Sequence, residues 1–193
     1  MKAYKTIDNE IVLTHNERTD CGNPICDRPF TPDETLWHSR DCLKIQGNDV
    51  VIDQIKKSAW ELSRFNALLP QRINEINEKT SKLITESGYL FKGQLMSSSD
   101  IHQKELEALH NNRDTIEMQA LYPFKLANKD DSGFVIIDNP ADIHNAYLAL
   151  NMSLRFTKKM AGNALKEQLI TKDVNGNYIK TLSDLENFID TRS

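Results

Sequence analysis

The chain has 193 residues, 39% hydrophobic and 7% aromatic, with 24 Lys and Arg against 28 Asp and Glu. That length allows one domain or two small ones, and seven Gly and six Pro are too few for a linker-dominated or collagen-like chain. The net charge of -4 is spread evenly: six basic and nine acidic groups in residues 1–50, seven and five in 51–98, eleven and fourteen in 99–193. This argues against broad nucleic-acid binding, which needs a Lys/Arg excess to displace counterions from phosphates. The start, Met1-Lys2-Ala3-Tyr4-Lys5-Thr6-Ile7-Asp8, is polar where a signal peptide has its apolar run. No stretch approaches the roughly 18 apolar residues that span a bilayer. Three cysteines, all within the first 42 residues, imply no disulfide framework. The expectation is a soluble protein of the reducing cytosol, without membrane insertion.

Residues 1–50 read as a small, loop-rich unit with short strands. Glu10-Ile11-Val12-Leu13-Thr14 is β-prone, Pro24, Pro29 and Pro32 forbid a long helix, and Asn48-Asp49-Val50-Val51-Ile52 either closes the unit with a strand or opens the next helix. Fifty residues make a marginal core without a metal, a partner or another subunit. Residues 51–86 then carry a five-heptad register, with Ile55, Leu62, Leu69, Ile76 and Leu83 at d and Ile52, Ala59, Asn66, Ile73 and Thr80 at a. Pro70 predicts a kink or break near Leu68-Leu69. An ordinary amphipathic helix, with Trp60 and Phe65 in a globular core, competes with an oligomerising one before Pro70. The polar composition of 71–86 favours a self-associating seam.

Residues 87–193 read as a compact module of hairpins packed on a long helix, which makes the chain α+β. Gly88–Met96 predicts a β-hairpin turning near Lys92-Gly93, and Ser97-Ser98-Ser99-Asp100 supplies caps for a helix through Ile101, Leu106 and Leu109. Strands follow at 124–128 and 133–137 around the turn-rich Lys129-Asp130-Asp131-Ser132. Asp138-Asn139-Pro140 starts the longest helix, its buried face traced by Ile143, Tyr147, Leu150, Leu154, Ala161, Leu165 and Ile170. Asn175-Gly176 marks a turn, and Leu182–Ile189 a short terminal helix.

The motifs Ser87-Gly88-Tyr89-Leu90-Phe91-Lys92-Gly93-Gln94-Leu95, Ser99-Asp100, Phe124-Lys125-Leu126-Ala127-Asn128-Lys129-Asp130 and Leu165-Lys166-Glu167-Gln168-Leu169-Ile170 stand in a telling order. Over residues 73–170 this resembles a domain of unknown function recurrent in tail and tail-fibre-associated proteins of tailed bacteriophages. That pattern has an aromatic Gly-x-x-x-x-Gly-type hairpin, a Ser/Thr-Asp cap, a strand turn and a Leu-Lys helix end; Phe124 stands where the family usually has Trp. The resemblance implies a virion or fibre-assembly protein with no catalytic residues.

Cys21-x4-Cys26-x11-His38-x3-Cys42 carries the sharpest chemical signal, because two thiolates followed by a His/Cys pair resemble structural zinc spacing. His15 is a spare ligand nearby. The bland alternative makes the cysteines small buried hydrophobes and His38 a loop-packing residue. Cys26 with His38 can also be drawn as a nucleophile pair, without a helix N-terminus to depress the thiol pKa. Asp33-Glu34 and Asp130-Asp131 point different ways in sequence and read as loop charges, and Gly-rich phosphate loops are absent. His102, His110 and His144 lie far apart along the chain and read as surface or capping residues. Leu154–Met160, with Arg155, Lys158 and Lys159, reads as a solvated basic face. The expectation is a non-enzymatic tail structural protein of the virion, present in the host cytoplasm during assembly. It would be a homo-oligomer, with a trimer favoured by the resemblance, and would bind other tail or fibre proteins, with hot spots at Trp60, Phe65 and Tyr89 if those are exposed in the monomer. A fibre-assembly chaperone and a zinc-stabilised adaptor are the alternatives.

Overall fold

The computed structural model describes residues 2–5, 11–14, 26–27 and 29–193. The chain divides into two units, Met1–Leu68 and Leu69–Ser193. In the first, β1 (Lys2–Lys5) lies between β2 (Ile11–Thr14) and β3 (Cys26–Asp27), antiparallel to both, with Lys2 opposite Thr14 and Asp27. A capping box starts α1 (Pro32–His38): the Thr31 hydroxyl accepts the Glu34 N–H, the Glu34 carboxylate accepts the Thr31 N–H, and Pro32 fills the first turn. The proline run therefore hides a short helix, which Pro32 begins rather than prevents. β4 (Leu43–Gln46) and β5 (Asp49–Ile52) form the closing hairpin, so the run after Asn48 is a strand rather than the start of the next helix. Trp37, Cys42, Leu43 and Val50 are the buried core of this unit, flanked by Ile11, Phe30, Ile52 and Trp60.

The helix α2 (Gln54–Glu86) is 33 residues long and starts under the Asp53 carboxylate, which accepts the N–H groups of Ile55 and Lys56. It runs through Pro70 without interruption, so the expected break near Leu68-Leu69 does not occur. Pro70 is exposed, and so is Asn66 one turn earlier, whose carbonyl has no N–H to accept from at the proline. The boundary between the two units falls inside this helix, and the heptad-bearing segment is shared by both. Gly88 ends the helical run at φ +76, and a Cβ there would stand 2.7 Å from the Met96 carbonyl oxygen.

In the second unit β6 (Tyr89–Phe91) pairs with β7 (Gln94–Met96) across Lys92 and Gly93, both at positive φ as a two-residue I′ turn requires. Ser99 caps α3 (Asp100–Asn112), Thr115 caps the short α4 (Ile116–Gln119), and β8 (Phe124–Ala127) pairs with β9 (Phe134–Ile137). Asn139 caps α5 (Pro140–Leu148), which continues as a π-helical segment, Ala149–Phe156, into α6 (Thr157–Ile170); α7 (Leu182–Glu186) follows. Tyr89, Phe91, Met96, Leu106, Val135, Ile137, Ile143, Ala146, Leu150 and Leu154 form the core. The mixed helical and antiparallel architecture is the expected α+β class.

The π-helical segment changes which residues face inward. Its i→i+5 bonding takes an extra residue into the turn, so the buried position expected at Ala161 moves on to Gly162, and two regular turns later it is Leu169 rather than Ile170 that is buried. Gly162 lies against Thr80, where a Cβ would come within 2.5 Å of the threonine hydroxyl oxygen.

Candidate functional site

Two helix faces stand in solvent with apolar side chains at helical spacing. On α2, Phe65 and Leu68 are buried, whereas Ile55, Ala59, Leu62 and Asn66 are exposed, Ile55 to 80% and Leu62 to 56%. Those four occupy successive d and a positions, so one edge of the helix is a bare heptad seam. Downstream the same register is covered by the chain itself: Leu69 and Ile76 are buried and Ile73, Thr80 and Leu83 half-buried. Arg192 donates to the Ile76 carbonyl and the Thr80 hydroxyl, and Arg72 to the Leu185 carbonyl, at 2.8–2.9 Å. The free seam is thus before Pro70 rather than after it, the reverse of the expectation from composition. The covering residues come from more than a hundred positions further along, which local pattern does not reveal.

The second face runs along α5, the π-helical segment and α6. Leu148, Met152, Phe156 and Met160 follow one another at four-residue steps and are all exposed. The wider π turn keeps four-residue steps on one side of the helix. Within the stretch expected to be a basic face, Leu154 is buried, Arg155 donates to Asn151 and Lys158 to the Ser193 carbonyl. Beside α3, Ala108, Leu109, Met118 and Leu126, with Glu105 and Asn112, line an open apolar groove.

The exposure on which the aromatic hot spots depend is not met by Phe65 and Tyr89, and Trp60 is half-buried beside the first unit's core. Phe65 and Tyr89 are buried, and burial pushes the Tyr89 hydroxyl pKa up to about 12. Trp60 packs edge-on against Trp37 with ring centres 5.6 Å apart, under the Arg40 guanidinium at 4.0 Å.

Of the four cysteine and histidine ligand candidates, Cys21 and the spare His15 lie outside the described residues, and Cys26 is described only as β3 backbone. His38 ends α1, its Nε2 2.6 Å from the Ile11 carbonyl oxygen. Cys42 is buried in the first unit's core, and its thiol donates to the Arg40 carbonyl at 3.2 Å. Burial, then the Asp41 charge, raises the Cys42 pKa. Among the described residues no group of three or more His, Cys, Asp or Glu is placed to hold a metal ion. The Cys26–His38 nucleophile pair rests on a side chain that is likewise outside the described set.

The carboxylate pairs have structural work. Glu34 caps α1, and the Asp130 carboxylate accepts the N–H and hydroxyl of Ser132, which hold it below the usual carboxylate range. His102 bonds the Ser99 hydroxyl at 2.6 Å. His110 and His144, 34 residues apart, are brought together: His110 Nε2 is 3.1 Å from His144 Nδ1, and Tyr147 stacks on His110 with ring centres 4.0 Å apart. The sequence reading separated these two. Its missed signal is that His110 lies one turn after the buried Leu106, and His144 one turn before Tyr147, on facing helices.

No described helix is long and apolar enough to cross a membrane. Comparison of the chain with family models, with curated proteins and with solved structures finds no match.

Proposed function

We propose that this chain is a structural component of a tailed-phage tail or tail fibre, self-associating through the first half of α2 and acting by protein–protein assembly rather than catalysis. The observation that carries the assembly reading is the bare seam of Ile55, Ala59, Leu62 and Asn66 on a rigid helix. Burying an exposed Ile or Leu side chain gains roughly 1.5–3 kcal/mol, and Asn66 at an a position sets register between copies at a cost in stability. The second apolar face, Leu148–Met160, would suit a neighbouring tail or fibre protein. Placement in a tail apparatus is supported by the motif order of residues 87–170, and the trimer by the same resemblance.

Mass photometry of the purified protein tests self-association. A trimer at micromolar concentration is expected for the wild type, and a monomer for the double variant Ile55→Glu, Leu62→Glu. A wild-type monomer sinks the oligomer reading. Mass spectrometry of purified virions tests the location: stoichiometric peptides place the chain in the particle, and their absence makes it an assembly chaperone.

A further inference from the structure

The facing nitrogens of His110 and His144 are joined by something small. The ring planes are 24° apart and the ring centres 5.3 Å apart, which exceeds the 3.1 Å nitrogen separation by about two imidazole radii. The rings therefore meet edge to edge, each nitrogen aimed at the other. The 3.1 Å separation is that of a nitrogen-to-nitrogen hydrogen bond with one proton between the rings.

One proton makes a good hydrogen bond here and two make a collision. With His110 donating from Nε2, its other nitrogen is a bare acceptor. That Nδ1 is buried and has no hydrogen-bond partner among the described residues. Charging His110 would place a second N–H at this site, where no described acceptor lies at hydrogen-bond distance and the neighbouring Asn111 side chain is the one amide acting on the ring; a buried donor left without a good partner is costly. Charging both rings sets two N–H groups face to face. The surroundings add to the cost of charge. Arg113, which donates to the His110 carbonyl, and Asp114 follow α3; Tyr122, whose hydroxyl donates to the Arg113 carbonyl, lies before β8; Tyr147 and Asp142 are on α5. Asn111, through its side chain, and Asp114, the one acid acting directly on His110, favour the charged ring, and burial, Arg113 and His144 outweigh them.

We propose that His110 and His144 form a proton-operated clasp between α3 and α5, closed while one proton lies between the facing nitrogens and opened when both rings are protonated. Opening loosens the last turn of α3, next to the groove of Leu109 and Met118. Burial, then Arg113 and His144, lower the His110 pKa from its ordinary 6.5. A lowered histidine gives stability that is complete above the unfolded value and is lost as pH falls through it towards the folded value. The clasp therefore weakens on mild acidification and does not depend on the assembly reading.

Imidazole proton NMR and amide exchange on the full chain test this between pH 7.5 and 5. The expected result is a His110 titration below the ordinary value that moves when His144→Gln is introduced. Protection of amides 109–113, corrected for intrinsic exchange, should fall severalfold in the wild type and stay level in the variant. A His110 that titrates at or above the ordinary value, or protection that falls equally in both proteins, overturns the proposal. The wild-type titration stands on its own should the variant fold poorly.

Discussion

Arg192 shows how single side chains hold the second unit together. Its guanidinium donates to the Asp190 carboxylate, the Thr80 hydroxyl and the Ile76 carbonyl, while the Lys79 ammonium donates to the Asp190 carbonyl. Asp190 and Arg192 are mostly buried, so their attraction is poorly screened and either partner alone would be left desolvated. The Arg192 bond holds the Asp190 carboxyl below its ordinary 3.8 against the opposing effect of burial, with Lys79 adding to the lowering. A depressed carboxylate contributes stability that is complete above the unfolded value and is lost as pH falls through the folded one. Asp190→Asn should therefore cost about 1–3 kcal/mol at neutral pH. In urea melts the gap between wild type and variant should close as pH is taken below 3.8. A gap that is unchanged by acid would show that the charge is not what holds the tail.

At the scale of elements, α2 sets the largest contrast between pattern and packing. A proline in a helix interior is about 3 kcal/mol less favourable than alanine, yet α2 continues through Pro70 with that residue in solvent. Pro70→Ala restores a backbone hydrogen bond and touches no core contact, so it should raise the urea midpoint by the equivalent of about 1–3 kcal/mol. A destabilised variant would mean that the proline's geometry is built into the packing of Leu68 and Leu69. The elements themselves were legible wherever local chemistry decides: the Lys92-Gly93 turn, the Ser99 and Asn139 caps and the two C-terminal strands stand where turn and cap residues put them. What pattern could not supply was cover. The heptads are continuous in sequence, but the cover of Ile76 and its neighbours comes from residues such as Leu185 and Arg192, more than a hundred positions away. The His110–His144 contact is hidden for the same reason, and the shift of the buried face to Gly162 because a π turn breaks the period on which the reading relies.

Across the whole molecule, packing decides where the chain can be cut. Among the described residues the first unit buries Trp37, Cys42, Leu43, Val50, Phe65 and Leu68, and the second has ten buried side chains in one cluster and further ones at Ile76, Leu169 and Leu185. Composition suggests a module beginning at residue 87, directly after the helix. The packing argues for a longer one, because Ile76 is fully buried and Arg72, Thr80 and the Ile76 carbonyl anchor the segment from Leu185 to Arg192. Removing residues 69–86 deletes Ile76 and Ile84 from the interior, and large buried side chains removed to Ala already cost about 2–5 kcal/mol each. A domain stability of only about 5–15 kcal/mol does not absorb two such losses together with the Arg192 anchors. The fragment 69–193 should therefore fold with a cooperative melt and resist limited proteolysis, while 87–193 should be cleaved readily after Leu169 and lose its near-ultraviolet dichroism. If the two fragments melt alike, the second half of α2 is a passenger on the module, and the seam at Ile76 is open to a second copy after all.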